Sequence, residues 1–288
     1  MATFVDTRIV CLTSQSATVK RNDSYLSDLM FGFGFIYKDE PDIIHRQVQL
    51  LNAQIPYSFY VVNYTNNLFK YNLGTGITTV TIPPGNYQAN TLITAIKTAV
   101  GYAPFTIAIS SINGKLTFSS DVAFTIYNNF TYSIGSLLGF SSNSINNSVS
   151  ISLTCPYPLN LLGIKNLQIR SSNLVMRNVS SVQGGQTTLL ASVPVSAVPF
   201  GMIDYIDKGN LISLDNQDLD DILIELIDGE TGQYINMNGQ DWCMTLAFHL
   251  TKVYNSPINQ NIIPIKQNIV SDQKNNSDKS VGPTGIYS

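Results

Sequence analysis

Short runs in which apolar and polar residues alternate fill most of this chain, and they are separated by turns rich in Asn, Gly and Pro. Alternation at every second position is the signature of a strand with one buried face. The clearest case lies near the end: Trp242, Met244, Leu246, Phe248 and Leu250 share one face, and Cys243, Thr245, Ala247 and His249 the other. Further strands are predicted at 165–171, 187–195, 201–206, 210–214 and 220–227, spaced by Gly184-Gly185, Pro199-Phe200-Gly201, Lys208-Gly209-Asn210, Asp228-Gly229 and Asn238-Gly239. Before residue 65, LMFGFGFIY (29–37) alternates bulky residues with Gly. Val48 and Leu50 mark a second strand, and Ser58–Val62 a third that begins after Pro56.

The texture changes between these two stretches. Ile77–Ile82 is a Thr/Val-rich strand stopped by Pro83-Pro84-Gly85. Leu92, Ile93, Ile96 and Val100 fall on one face of a helix over 88–100, with Asn86 or Asn90 as candidate caps and Gly101 as its C′ residue. Phe105, Ile107 and Ile109 then alternate, Asn113-Gly114 turns the chain, and Leu116 and Phe118 answer on the return strand. The pattern predicts an arm or irregular leading strand over 1–24, a β region over 25–64 and an α+β unit over 65–149. A second β region over 150–255 and a polar, flexible tail over 256–288 follow. About nine strands outside the α+β unit suit a sandwich with Greek-key connections.

Composition narrows the function. Charged residues are 12% of the 288, about half the usual share, and Asn, Ser and Thr take their place. Such a neutral surface suits a protein packed among neighbours, and a genome biased toward Asn would give the same numbers. The net charge of -3 and the absence of any basic block argue against direct nucleic-acid binding. Cys11, Cys155 and Cys243 are too dispersed for a metal or redox motif and read as reduced thiols. The N-terminus lacks the pattern of a signal peptide, and no run is long enough for a membrane helix.

Candidate chemistry is sparse. Gly32-x-Gly34 lacks the third glycine and the following helix of a dinucleotide fingerprint, and two histidines, His45 and His249, cannot supply a cupin-type metal set. The acidic stretch Asp215–Glu230 fails the EF-hand order and reads as a strand flanked by solvated turns. The expectation is a protein without catalysis, cofactor or bound metal.

The order of motifs adds a resemblance. VQLLNAQIPYSFYVVN, then IPPGNYQANTLITAIKTA, FTI…NGKLTF and SLLGF, followed by LNLLGIKNLQIRSSNL, LLASVPVSAVPFGMIDYID and LDDILIELIDGETGQYINMNGQDWCMTLAFHL, resembles penton and minor capsid proteins of virophages, polinton-like viruses and related large DNA viruses. The resemblance spans about residues 25–252. It implies a single jelly-roll β-sandwich interrupted by a small α+β insertion domain. It also implies a homopentamer at the vertex of an icosahedral shell, surrounded by a double-jelly-roll major capsid protein, in a virion assembled inside the host cell. The arm would run along the inner side of the shell and the insertion would project outward. A minor capsid or attachment protein whose insertion domain binds a glycan or host receptor stays open as the alternative. Arg8, Arg170, Arg177 and Trp242 are the expected contact residues, although Trp242 reads first as a core anchor.

Overall fold

The computed structural model describes residues 2–22, 25–174, 178–180, 185–215 and 218–254. Arg177 and the tail expected over 256–288 lie outside the described residues. Four strands come first: β1 (Ala2–Thr13), β2 (Val19–Lys20), β3 (Asp28–Tyr37) and β4 (Ile43–Pro56). Then follow β5 (Leu68–Asn72), β6 (Ile77–Thr81), α1 (Ala89–Val100), β7 (Thr106–Ile109), β8 (Lys115–Ser119), β9 (Thr125–Tyr127), β10 (Ile145–Asn147) and β11 (Ser152–Pro158). The last group is β12 (Asn166–Arg170), β13 (Asn178–Ser180), β14 (Gly185–Thr187), β15 (Leu189–Pro194), β16 (Met202–Ile206), β17 (Ile212–Ser213), β18 (Leu219–Asp228) and β19 (Cys243–Tyr254).

Two five-stranded antiparallel sheets build the sandwich. One runs β1-β19-β4-β16, with β17 also on β4; the other runs β15-β12-β18-β3-β2. The chain passes from one to the other between β1 and β2, β3 and β4, β15 and β16, β17 and β18, and β18 and β19, and from β4 to β12 by way of the inserted unit, as a jelly roll requires. Their inner faces share one core, in which Trp242 and, on the last strand, Met244, Leu246, Phe248 and Leu250 join Phe31, Ile169, Ile222 and Ile224. The fold is mainly β, a jelly-roll sandwich interrupted by a unit with its own core.

The strand β4 explains a break in the sequence pattern. Val48 and Leu50 point into the core, and so do Ala53 and Ile55, an odd-numbered set after an even one. The register against β19 slips at this point, Thr245 opposing Asn52 and Leu246 opposing Leu50. One extra residue, Leu51, shifts the phase of the side chains and lets a single 14-residue strand bury both sets.

Ser58–Val62, expected as a strand, is instead a connector. The Tyr57 amide bonds to Gly201 and the Val62 amide to Gly85, so its hydrogen bonds go to two different parts of the chain. Tyr57 and Phe59 enter the sandwich core and Val62 the second core. Alternation here reflects burial in two places, not one sheet.

The second core gathers Phe69, Tyr71, Phe105, Phe118, Phe124 and Phe140 with Leu92 and Ile96 of α1. Ring centroids 5.6–6.4 Å apart link these aromatics. The helix is capped by Gln88, not by Asn86 or Asn90: Thr91 Oγ1 accepts the Gln88 amide at 3.0 Å. Asn86 holds the connector, its Oδ1 accepting the Val61 amide at 2.9 Å and its Nδ2 donating to the Phe59 carbonyl at 3.2 Å. Gly101, in the left-handed region, closes the helix onto the Lys97 carbonyl.

Two boundaries differ from expectation. Of the arm or irregular strand expected over 1–24, the first part is a regular strand: β1 pairs with β19 along its whole length, from Ala2 opposite Tyr254 to Thr13 opposite Cys243. β11, expected with the sandwich, pairs with β8 and places Cys155 in the second core. Burial there pushes the Cys155 thiol up to about 12. The polar loop before β11 resembles a domain boundary, but the hydrogen bonds of β11 run back into the unit.

Candidate functional site: assembly edges and a cleft

Three surface features stand out. Among the described residues no three His, Cys, Asp or Glu side chains are grouped to hold a metal ion. His249 is engaged on its own sheet, Nδ1 lying 3.0 Å from Thr7 Oγ1. The acids of β18 and its flanks are exposed or half-buried, and no helix of the described residues is long and apolar enough to cross a membrane.

The first feature is the outer edge of β1. This strand bonds to β19 on one side, and among the described residues no strand covers the other. Phe4, Val5 and Ile9 stand on it, 48 to 58% exposed. Its two charged residues, Asp6 and Arg8, are tied inward. Arg8 pairs with Asp6 at 3.2 Å and donates to the Ile36 carbonyl. Lys252 beside it bonds to Glu40 at 2.6 Å and lies 4.0 Å from both Asp6 and Asp42. The hydrogen bond with Glu40 leads the causes that hold the Lys252 ammonium above its ordinary value.

The second feature is the opposite edge of the same sheet. Among the described residues β16 bonds to β4 alone; it carries Met202 and Ile206, with Phe200 in the turn before it, and Ile206 and Phe200 are each 76% exposed. The edge ends in a braced turn. Asp207 accepts the Gln49 amide at 2.7 Å, the Gly209 and Asn210 backbone amides at 2.8 and 2.7 Å, the Asn210 side-chain amide at 2.8 Å and the Tyr205 hydroxyl at 3.1 Å. Desolvation alone would raise this carboxyl, but the donors outweigh it and hold Asp207 at about 2.

The third feature is a cleft of about 750 Å³ at the waist between the two cores. Its walls are the connector from Phe59 to Asn66, the return connector from Asn160 to Ile164, and the turn from Asp228 to Asn238. The connectors run side by side: a Cβ on Gly163 would stand 2.9 Å from Val61 Cγ2, so only glycine allows this approach. Tyr64 is 72% exposed on a cross-braced turn, where Asn66 Oδ1 accepts the Asn63 amide at 2.7 Å and Asn63 Oδ1 accepts the Thr65 amide at 2.9 Å. Tyr234 donates to Glu225 Oε1 at 2.7 Å; burial, followed by that bond, pushes its hydroxyl up to about 12. Sequence reading missed this cleft, because its walls come from segments about 100 and 70 residues apart.

The expected contact residues stand on different elements. Arg8 lies on β1, and Arg170 ends β12, where its Nε and Nη2 reach Gln168 Oε1 at 3.0 and 2.5 Å. Burial draws the Arg170 guanidinium below its ordinary value. Trp242 is 2% exposed. Its Nε1 donates to the Leu26 carbonyl at 2.7 Å, and its ring meets Phe31 edge-on at 5.9 Å. It is a core anchor and offers no surface to a partner.

No protein-family model and no curated protein matches the chain. Among solved structures, the chain is similar to the crystal structure of the mavirus penton protein, at 9% identity and a TM-score of 0.47, with 85% of this chain and 99% of that one covered. It is also similar to a chain in the cryo-EM structure of the Sputnik virophage, at 16% identity and a TM-score of 0.41, with 84% and 97% covered.

Proposed function

We propose that this chain is a structural capsid protein and that five copies close into the vertex of an icosahedral shell, bordered by a double-jelly-roll major capsid protein. The motif order from Val48 to Leu250 supports the reading. The structural observation that carries it is the pair of unlike apolar edges on one sheet, β1 with Phe4, Val5 and Ile9 and β16 with Met202 and Ile206. A twofold dimer would use the same patch on both subunits. Two different patches on opposite sides of one sheet suit a head-to-tail contact, which closes when the rotation per subunit allows a ring. Joining them also covers open strand edges, which otherwise invite uncontrolled pairing.

Arg8, on the first edge, is a proposed seam residue, and Arg170 a proposed contact of the second sheet. The low content of charge limits repulsion between acidic copies. The reading assigns the chain no catalytic step and places it in the virion.

Light scattering with negative-stain averaging of the full chain tests the proposal. Fivefold rings with the mass of five 31.6 kDa chains are the expected result. A stable trimer or a twofold dimer would overturn it. If the free chain is monomeric, the deciding measurement is co-assembly with the major capsid protein. Failure to occupy fivefold positions there would equally count against the vertex role.

A further inference from the structure

We propose that the cleft at the waist between the two cores binds a neutral oligosaccharide. Its volume of about 750 Å³ lies within the range of pockets that enclose small ligands, roughly 300–1,000 Å³. Three properties of its walls select the class of ligand.

The first is charge. Among the described residues the walls include Asp228 and Glu230 but no Lys, Arg or His. A phosphate, sulfate or carboxylate entering the cleft would lose water and face two carboxylates, and the neighbouring Lys165 is already engaged by Glu230 at 3.1 Å, so nucleotides and acidic sugars are disfavoured. The second is aromatic surface. Tyr25, Phe59, Tyr60, Tyr64 and Tyr234 all contribute to the lining. Tyrosine gives a flat apolar face with a polar rim, which matches a sugar ring that has apolar C–H faces and hydroxyls at its edge. The third is rigidity. The asparagines of the Asn63–Asn66 turn are spent on holding the backbone, Asn66 Nδ2 also reaching the Val61 carbonyl at 2.9 Å, so Tyr64 is presented on a fixed support. Little conformational freedom remains to be lost when a ligand covers that ring.

Hydroxyl acceptors stand beside the rings. Asp228 receives the Glu230 amide and the Thr231 hydroxyl, and Glu230 receives Lys165. Each carboxylate has further lone pairs to accept sugar hydroxyls. The site belongs to neither core alone, since both connectors and the β18 turn form it. An isolated insertion unit would therefore lack half of the walls, and the full chain is the material to test.

The experiment is binding of the full chain to an array of neutral, sialylated and sulfated glycans. Hits are then titrated by ligand-observed NMR against the unaltered chain, Tyr64→Ala and Tyr64→Phe. Retention of neutral glycans, about tenfold weaker binding for Tyr64→Ala and near-full binding for Tyr64→Phe are expected, because the ring face and not the hydroxyl makes the contact. No neutral glycan retained, a preference for sulfated or sialylated glycans, or unchanged binding by Tyr64→Ala would each overturn the proposal. Thermal melting and particle mass of the same variants separate this result from folding and from ring formation, which Tyr64→Ala leaves intact.

Discussion

Ser14 and Asp241 are separated by 227 positions in the chain, yet the Ser14 hydroxyl donates to Asp241 Oδ1 at 2.6 Å. The same Ser14 Oγ accepts the Trp242 amide at 3.2 Å, and the Ser14 amide bonds to the Trp242 carbonyl at 3.0 Å. This clamp fixes the end of β1 against the start of β19 and seats Trp242 in the core. Ser14 is fully buried, so Ser14→Ala removes the partner of a buried amide. A loss of about 1–3 kcal/mol in urea unfolding is expected, with little change in the unfolding slope.

Asp207 sets an acid limb on stability. Its folded value of about 2 lies below the ordinary carboxylate value of 3.8. A depressed carboxyl contributes stability that is fully present above its unfolded value and lost as pH falls through the folded one. The window is therefore from about pH 4 down to about pH 2. Asp241, lowered by its hydrogen bonds from Ser14 and Gln15, acts in the same direction. Asp207→Asn should remove its part of the limb and cost about 1–2 kcal/mol at neutral pH, after discounting for solvent screening. Unfolding series from pH 2 to 7 check both statements. A variant with the same acid limb as the unaltered chain would contradict the assignment.

Blocking either apolar edge should break the ring. Phe4→Asp on β1 and Ile206→Asp on β16 each place a charge in the proposed seam and should give folded monomers with little change in melting temperature. Mixing the two variants is the sharper test. One intact β1 edge and one intact β16 edge remain between them, so a single heterologous seam can form and the mixture should yield dimers. Analytical ultracentrifugation reads the outcome, and monomers alone in the mixture would show that the two edges do not meet.

The second core depends on Gly139. Its φ is +93°, and a Cβ added there would come 2.1 Å from the Tyr157 carbonyl oxygen. The Tyr157 amide bonds back to the Gly139 carbonyl at 3.0 Å, so the β11 segment cannot retreat without losing that bond. Gly139→Ala should destabilise this unit by about 2 kcal/mol or more and expose Cys155 to thiol reagents. Labelling rates of Cys155 before and after the substitution give the measurement.

Much of the sandwich was legible because its strands keep one phase. β19 has one apolar face from Trp242 to Leu250, and that face lines the core. The helix α1 was equally plain, since Leu92 and Ile96 recur at helical spacing and Gly101 ends it. Legibility failed where a single pattern served two environments. The bulge at Leu51 reverses the phase of β4, and the alternation from Tyr57 to Val62 belongs to two cores in succession. β11 was misplaced because Leu153 and Cys155 are weak apolar signals behind an Asn/Ser loop. Of the expected contact residues Trp242 is buried, while Phe4, Val5, Ile9, Met202 and Ile206 are the exposed large apolar residues of the two edge strands and gave no signal apart from strand alternation. The cleft had no local signal, as its walls meet only after folding.

The paired connectors at Val61 and Gly163 have a consequence for how such chains diversify. Entry and exit pass so close that a Cβ on Gly163 would stand 2.9 Å from Val61 Cγ2, so the sandwich has only a narrow gap to bridge, whatever lies beyond it. Segments of different length and shape can then be exchanged at this doorway while the strands on either side keep their register. Substitutions in the inserted unit and in the sandwich can then accumulate separately, with little conflict between the two.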